Sequence, residues 1–146
     1  MHKKEPPMKP TVISRIANAV AVLGALLVLG AVLLWAPPCS GHLELANGNM
    51  APMRCAYTAK IALLLAVIVL VLAVVGLATG RLFALPVCLL AAALVLLTFD
   101  TPLSIGVCRS PMACWDTALW LRIGGGVLLA TMVAGLVAGK RPKIVA

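Results

Sequence analysis

The chain of 146 residues is 63% hydrophobic and only 11% charged, with a mean hydropathy of +1.12. One soluble core cannot bury so much apolar surface, so this composition excludes an ordinary soluble domain and predicts a membrane protein. The formal net charge of +8 does not indicate a nucleic-acid partner, because the basic residues lie at the ends of apolar runs. Since the apolar residues are mainly Leu, Val and Ala rather than aromatic, we predict an all-α membrane protein embedded in the lipid bilayer.

The first half of the chain predicts a basic tail followed by a helical hairpin. Residues 1–15 contain four basic residues and three prolines without apolar periodicity, which is typical of a solvated tail. Residues 16–36 are uncharged and long enough to cross about 30 Å of hydrocarbon at about 1.5 Å per residue. The proline and glycine turns of residues 37–57 predict a polar loop, after which residues 58–80 form the second crossing. Residues 16–80 therefore make up the first predicted hairpin.

The second half of the chain predicts the same arrangement. Residues 82–99 form the third crossing, residues 100–116 a second polar loop and residues 117–139 the fourth crossing. The basic segment 140–146 ends the last helix. Residues 81–146 are thus a second hairpin, and the fold is predicted to contain four transmembrane helices in two tandem hairpins.

The distribution of basic residues predicts the orientation of these helices. Eight of the twelve Lys and Arg residues lie on the side of the two tails, and four lie on the side of the two loops. By the positive-inside rule, both termini are cytoplasmic and both loops lie outside the inner membrane of a prokaryotic cell.

A repeated motif relates the two hairpins. The stretch PMRCAYTA at residues 52–59 recurs as PMACWDTA at residues 111–118, and the same offset aligns further glycines. A shared Pro, Met, Cys and Thr in one short window indicates an internal duplication. Both halves then cross in the same sense, as a parallel repeat whose pseudo-twofold axis runs along the membrane normal.

Small residues recur on one face of the second and fourth helices. In each repeat the threonine and the first glycine are eighteen residues apart, which is five helical turns, and a second glycine follows one turn later. Such small-xxx-small spacing lets helices approach closely in a bilayer. The predicted helix-packing residues, either between the halves or against a partner, are Thr58, Gly76, Gly80, Thr117, Gly135 and Gly139.

Four cysteines lie in the two predicted outer loops. Cys39 and Cys55 share the first loop, and Cys108 and Cys114 share the second. In an oxidising exterior this pattern predicts two disulfides, most simply one within each loop, although four cysteines allow three pairings. The fifth cysteine, Cys88, lies in the third apolar run. This structural interpretation requires no cofactor and no catalytic residue.

A redox function is the first alternative for these cysteines. Four crossings with a cysteine pair in each outer loop match the layout of DsbB-type quinone-linked disulfide oxidases, a similarity of topology alone. The basic residues available beside a quinone are Arg54, Arg109 and Arg122. Neither loop contains the Cys-x-x-Cys spacing that usually accompanies a depressed thiol pKa, which argues against this alternative.

A soft-metal site is the second alternative. Thiolate, thioether and imidazole groups are the donors that select copper(I) or zinc, and both loops contain a Met-x-Cys pair. The candidate ligands are Cys39, His42, Met50, Met53, Cys55, Cys108, Met112 and Cys114. Cysteines tied in disulfides would be unable to bind the metal.

The cysteine-containing loops also carry a family resemblance. At Cys39, at residues 46–50 and 52–55, and at residues 106–108 and 112–114, the chain resembles a family of small prokaryotic four-helix membrane proteins known as a domain of unknown function, DUF4418. The resemblance covers nearly the whole chain after the basic tail. It implies genes close to ABC-type permeases and therefore an accessory role, and it carries over no catalytic residue.

Together these features favour a non-enzymatic membrane subunit. The small outer surface, the lack of a recognisable catalytic set and the packing stripes predict an accessory or assembly protein. We expect its loops and glycine faces to meet a larger membrane protein or a second copy of the chain.

Overall fold

The computed structural model describes residues 10–39, 41–102 and 113–139. Helices dominate these residues, which confirms the predicted helical class. The four α-helices are α1 at Pro10–Gly30, α2 at Arg54–Thr79, α3 at Ala84–Leu96 and α4 at Ala113–Gly139. A π-helical turn at Ala31–Trp35 continues α1.

Three of these helices are long and apolar enough to cross a membrane: α1 with its π-helical turn, α2 and α4. The predicted third crossing corresponds to α3, which has 13 residues. At about 1.5 Å per residue α3 extends only about 20 Å, less than the hydrocarbon thickness.

The helices begin and end at residues that differ from the sequence prediction. Helix α1 starts at Pro10, inside the segment predicted as a tail, and proline is well suited to the first position of a helix. Helix α2 starts at Arg54 and α4 at Ala113, each four residues before the predicted start. The prediction followed apolar runs, whereas a helix continues through polar residues until its backbone is capped or broken.

The bundle is a ring of four helices. Helix α1 packs against α2 and α4, α4 also packs against α3, and the contact between α2 and α3 is less extensive. The start of α4 lies beside the end of α1, where the Thr117 hydroxyl donates to the Ala36 carbonyl at 2.7 Å. Near the opposite end of α4, a Cβ on Gly135 would stand 3.4 Å from that of Ala17, so α1 and α4 are antiparallel. We call the end of the bundle with Thr117 and Ala36 the cysteine end, and the end with Gly135 and Ala17 the tail end.

Consecutive glycines let α4 approach two helices at once. A Cβ on Gly124 would collide with a methyl of Val28 in α1, and one on Gly125 would stand 2.6 Å from a methyl of Val95 in α3. A Cβ on Gly126, by contrast, would meet nothing within 4 Å among the described residues. The first two glycines therefore let α1 and α3 pack directly on the backbone of α4, because small residues allow van der Waals packing where lipid provides no hydrophobic drive.

A short β-hairpin occupies the first loop, where the sequence predicted a polar loop with turns and no strands. Strand β1, His42–Glu44, pairs antiparallel with β2, Met50–Pro52. Between them, the Gly48 amide donates to the Leu45 carbonyl at 2.8 Å, and Gly48 has a φ of 75°. The Leu45 amide also donates to the Asn49 carbonyl at 2.9 Å, so residues 46–48 form a three-residue turn. The positive φ of Gly48 closes this turn, a conformation that glycine adopts without strain. The hairpin returns the chain from Cys39 towards Cys55.

Side chains of α1 cap the carbonyl end of α2. The chain reverses at Gly80, whose φ of 67° is typical of a helix C-cap. The Ser14 hydroxyl donates to the Gly80 carbonyl at 2.7 Å, and the Asn18 amide donates to the Arg81 carbonyl at 2.9 Å. Backbone groups without water must find such partners, so these two residues allow a tight turn at the tail end.

Side chains of α4 cap α1 and α3 at the other end of those helices. The Thr117 hydroxyl donates a hydrogen bond to the Ala36 carbonyl, and the two prolines that follow Ala36 end the helix. The Arg122 guanidinium donates to the Thr98 hydroxyl at 2.9 Å and to the Thr98 carbonyl at 3.4 Å, and stacks 4.4 Å from the Phe99 ring centroid. A positive charge also complements the negative C-terminal end of the helix dipole, so Arg122 stabilises the C-terminus of α3.

Candidate functional site

The cysteine end brings together sulfur atoms from the two loops. The Sγ atoms of Cys39 and Cys114 are 2.9 Å apart, although the residues are 75 positions apart in the chain. Cys114 is 1% exposed in the first turn of α4, and Cys39 is half-buried just after the prolines that end α1. The contact therefore joins different halves of the chain, whereas the simplest sequence expectation paired cysteines within each loop.

Both copies of the repeated motif line one small cavity at this end. The lining includes three pairs that the sequence repeat relates to each other: Cys55 and Cys114, Thr58 and Thr117, and Ala59 and Ala118. Cys55 is 3% exposed. The two motif copies thus face each other across a space of about 10 Å³, which is about the volume needed for one water molecule.

This space bears on the quinone alternative. Small-molecule sites usually measure about 300 Å³ or more, so the cavity beside Cys55 and Cys114 is far too small for a quinone ring. Of the basic residues proposed to contact a quinone, Arg122 instead holds Thr98 and Phe99, and Arg54 is exposed at the start of α2. Arg109 lies outside the described residues.

The predicted metal ligands are only partly brought together. His42 and Met50 are exposed on the β-hairpin, and Met53 packs over Gly41, where a Cβ would meet its methyl carbon at 2.6 Å. Cys108 and Met112 lie outside the described residues. In residues 10–39, 41–102 and 113–139, no group of three or more His, Cys, Asp or Glu side chains is arranged to hold a metal ion.

The predicted packing residues fall in three kinds of environment. Thr58, Thr117, Gly76 and Gly135 are buried in helix contacts. A Cβ on Gly135 would stand 3.1 Å from a methyl of Leu82. Gly80 instead forms the left-handed C-cap of α2, and a Cβ on Gly139 would meet nothing within 4 Å among the described residues. The first glycine of each repeat is therefore the one that packs.

Asn18 is the polar residue that the sequence analysis missed. It is fully buried in α1 and lies directly against Gly76, whose Cβ would stand 2.6 Å from the Asn18 amide nitrogen. Its carbonyl oxygen has no hydrogen-bond partner among the described residues. A lone asparagine in an apolar run is the signal that would have identified it, since polar side chains in membrane helices usually face a neighbouring helix.

A groove opens on the outer surface where α1 meets α4, towards the tail end. Its volume is about 490 Å³. On α4 the lining residues are small and recur at helical spacing, as Ala130, Ala134 and Ala138 with Thr131 and Gly135. Ile13, Ile16 and Ala17 of α1 form the other wall. The Thr131 hydroxyl donates to the Val127 carbonyl of its own helix at 2.7 Å, so the one hydroxyl among these lining residues is already hydrogen-bonded and the groove is apolar.

Comparison with known proteins gives a family and no closer relative. A family model described as a domain of unknown function (DUF4418) matches residues 20–138. No curated protein and no solved structure matches the chain. The matched range includes the cysteine end and the α4 wall of the groove, whereas Ile13, Ile16 and Ala17 of the α1 wall precede it.

Proposed function

The chain belongs to the DUF4418 family, and we propose that it is a non-enzymatic accessory or assembly subunit of the prokaryotic inner membrane. In this proposal a transmembrane helix of a larger membrane protein occupies the groove between α1 and α4. The observation that carries the proposal is a recessed surface on the outside of the bundle, lined mainly by small residues.

The exposed surface of the helices supports membrane insertion. Large apolar side chains point away from the bundle on several helices, including Leu23 at 66%, Leu64 at 61% and Leu89 at 64% exposed. Side chains of this kind are stable in lipid and unfavourable in water.

Chain direction supports four passages between the two ends. The end of α1 and the starts of α2 and α4 meet at the cysteine end, whereas the end of α2 is held by Ser14 at the tail end. Between α2 and α4, α3 runs from the tail end towards the cysteine end, because Leu82 before it lies against Gly135 and Thr98 after it is bound by Arg122. With eight basic residues on the tail side, we place both termini in the cytoplasm and the cysteines outside.

Facing motif copies support the duplicated-hairpin interpretation. A pseudo-twofold axis along the membrane normal would relate Cys55 to Cys114 and Thr58 to Thr117, and these residues line one cavity. In the outer loops we propose structural disulfides rather than a catalytic or metal-binding cysteine set.

The shape and chemistry of the groove favour a helix as its occupant. Ala130, Ala134 and Ala138 repeat every four residues, the small-xxx-small spacing that allows helix backbones to approach closely. Ala130 and Ala134 are exposed, so this stripe is not used within the bundle. A permease of the ABC type is the first partner to test, following the gene proximity that the family resemblance implies.

The test fills the groove and leaves the rest of the surface unchanged. Ala130→Leu places a larger side chain in the groove, and Ala19→Leu makes the same change at an exposed position of α1 outside it. Ala130 lies nine residues before the end of α4 and Ala19 nine residues after the start of α1, so their depths match. Each tagged variant would be co-expressed with the candidate permease and purified in mild detergent.

We expect the unmodified chain and Ala19→Leu to recover the permease in a fixed ratio. Ala130→Leu should recover about tenfold less, since losing about 1.4 kcal/mol of helix packing has that effect. Equal recovery with both variants would contradict the groove as the docking surface. Recovery of a second, differently tagged copy of the chain in place of the permease would replace the proposed partner with self-association.

A further inference from the structure

We infer that the mature protein carries a disulfide between Cys39 and Cys114, which joins its two halves covalently at the cysteine end. The inference goes beyond the proposed function by assigning one of three possible pairings and by giving it a mechanical role. It rests on the outward orientation of the cysteine end and is independent of the groove and its occupant.

The distance between the two sulfurs supports this pairing. At 2.9 Å they are about 0.9 Å beyond the length of an S–S bond, about 2.05 Å, so small side-chain rotations bring them together. Two side chains from segments 75 positions apart meet here because α1 and α4 pack side by side.

The backbone on both sides of the pair is held in place. Cys39 follows Pro37 and Pro38, whose φ angles are fixed by their rings. The Thr117 hydroxyl, three residues after Cys114, donates to the Ala36 carbonyl, three residues before Cys39. This hydrogen bond ties the end of α1 to the first turn of α4 before any sulfur bond forms, so the pair is preorganised.

Bond formation is a two-electron oxidation. The S–H bonds of Cys39 and Cys114 break, one S–S bond forms, and two protons and two electrons leave. The acceptor is the disulfide of a thiol-oxidising protein on the outer side of the membrane, which is reduced to two thiols by exchange through a mixed disulfide. No quinone is required beside the pair.

The bond would fix the contact between α1 and α4. It would join the end of the first helix to the start of the last one, so that α2 and α3 lie within the closed loop. The groove is formed by the same two helices at the tail end. Locking their cysteine end would hold both groove walls in one relative position.

Peptide mapping identifies the pairing directly, because trypsin separates the four loop cysteines. Cleavage after Lys and Arg gives four cysteine-containing peptides: residues 16–54 with Cys39, 55–60 with Cys55, 82–109 with Cys88 and Cys108, and 110–122 with Cys114. Because Cys114 and Cys55 are buried, native membranes would be dissolved in denaturant that already contains an alkylating reagent, so that every free thiol is capped. The full chain would then be purified and digested without reductant.

We expect mass spectrometry to find peptide 16–54 joined to peptide 110–122, as a species that disappears on reduction. Peptide 16–54 joined to 55–60 or to 82–109 would show oxidised cysteines with another pairing and would overturn the inference alone. Alkylated Cys39 and Cys114 would also overturn it, and would in addition contradict the outward orientation in the proposed function.

A stability measurement tests the mechanical role. Cys114→Ser should lower the thermal unfolding temperature of the oxidised protein in detergent and reduce the further shift that reductant causes. Cys39→Ser should have the same effect, and combining both changes should add little, because either one removes the bond. Cys88→Ser, in α3, is the control and should keep the reductant-dependent shift. An unchanged shift in Cys39→Ser or Cys114→Ser would contradict the role.

Discussion

The contact between Gly76 and Asn18 gives a sharp test of packing at the tail end. Replacing Gly76 with alanine would place a Cβ 2.6 Å from the Asn18 amide nitrogen and 2.8 Å from both its Cγ and its carbonyl oxygen. Asn18 cannot easily move away, since it is fully buried and its amide donates to the Arg81 carbonyl at 2.9 Å. The substitution therefore forces a steric overlap, a broken hydrogen bond, or both.

The expected magnitude follows from opposing contributions. Overpacking costs about 1–3 kcal/mol, and losing the hydrogen bond of Asn18 to Arg81 costs about 1 kcal/mol. Alanine favours a helix over glycine by about 1 kcal/mol, which offsets part of this loss. We expect Gly76→Ala to lower the free energy of unfolding by about 1–3 kcal/mol. The control is Gly126→Ala in α4, where a Cβ meets nothing within 4 Å among the described residues, so this change should be neutral or slightly stabilising.

Unfolding in mixed micelles, titrated with dodecyl sulfate and followed by helical circular dichroism, measures these free energies. The decisive comparison places Gly76→Ala in an Asn18→Ala background, where the obstructing side chain is absent. There the substitution should lose its penalty, giving a coupling energy of at least about 1 kcal/mol. Equal penalties in both backgrounds would refute the steric explanation.

Two further predictions concern helix capping by α4. Thr117→Val should lower the free energy of unfolding by about 1 kcal/mol in the same titration, because the Ala36 carbonyl loses its 2.7 Å donor. The control is Thr131→Val, because the Thr131 hydroxyl donates to the Val127 carbonyl of its own helix. This change should lower the free energy of unfolding by much less, and equal losses for the two variants would contradict the capping role. Arg122→Gln should increase amide hydrogen exchange in the last turn of α3 by about tenfold, because Thr98 loses a charged partner. Exchange equal to that of the unmodified chain would show that α3 ends independently of Arg122.

The sequence predicted the helical class because composition and the length of the apolar segments determine whether a chain inserts into a membrane. Uncharged runs of about twenty residues indicate helices whatever their neighbours are, since the bilayer alone imposes the requirement. The ends of the helices were predicted less accurately. Arg54 and Lys60 are exposed within α2, and helical structure continues through them although apolar patterning does not.

The repeated motif predicted which residues matter but not their contacts. Thr58, Thr117, Cys55 and Cys114 were singled out by repetition, and all four line the cavity at the cysteine end. The contact between the sulfurs of Cys39 and Cys114 was harder to predict from the sequence. Cys55 is much closer to Cys39 along the chain than Cys114 is, so spacing alone favours the wrong neighbour. Sequence separation carries no information on which helices become adjacent in a ring.

By itself, the sequence determined that this protein is helical and apolar enough for a bilayer, and it indicated a duplicated motif with cysteines at its start. These properties follow from local composition and from the fixed geometry of a helix. Only the tertiary structure decided that Gly124 and Gly125 each face a different helix, that Asn18 lies against Gly76, and that Cys39 meets Cys114. Such contacts depend on which helix faces are apposed, and that choice arises from the packing of small residues across the whole bundle.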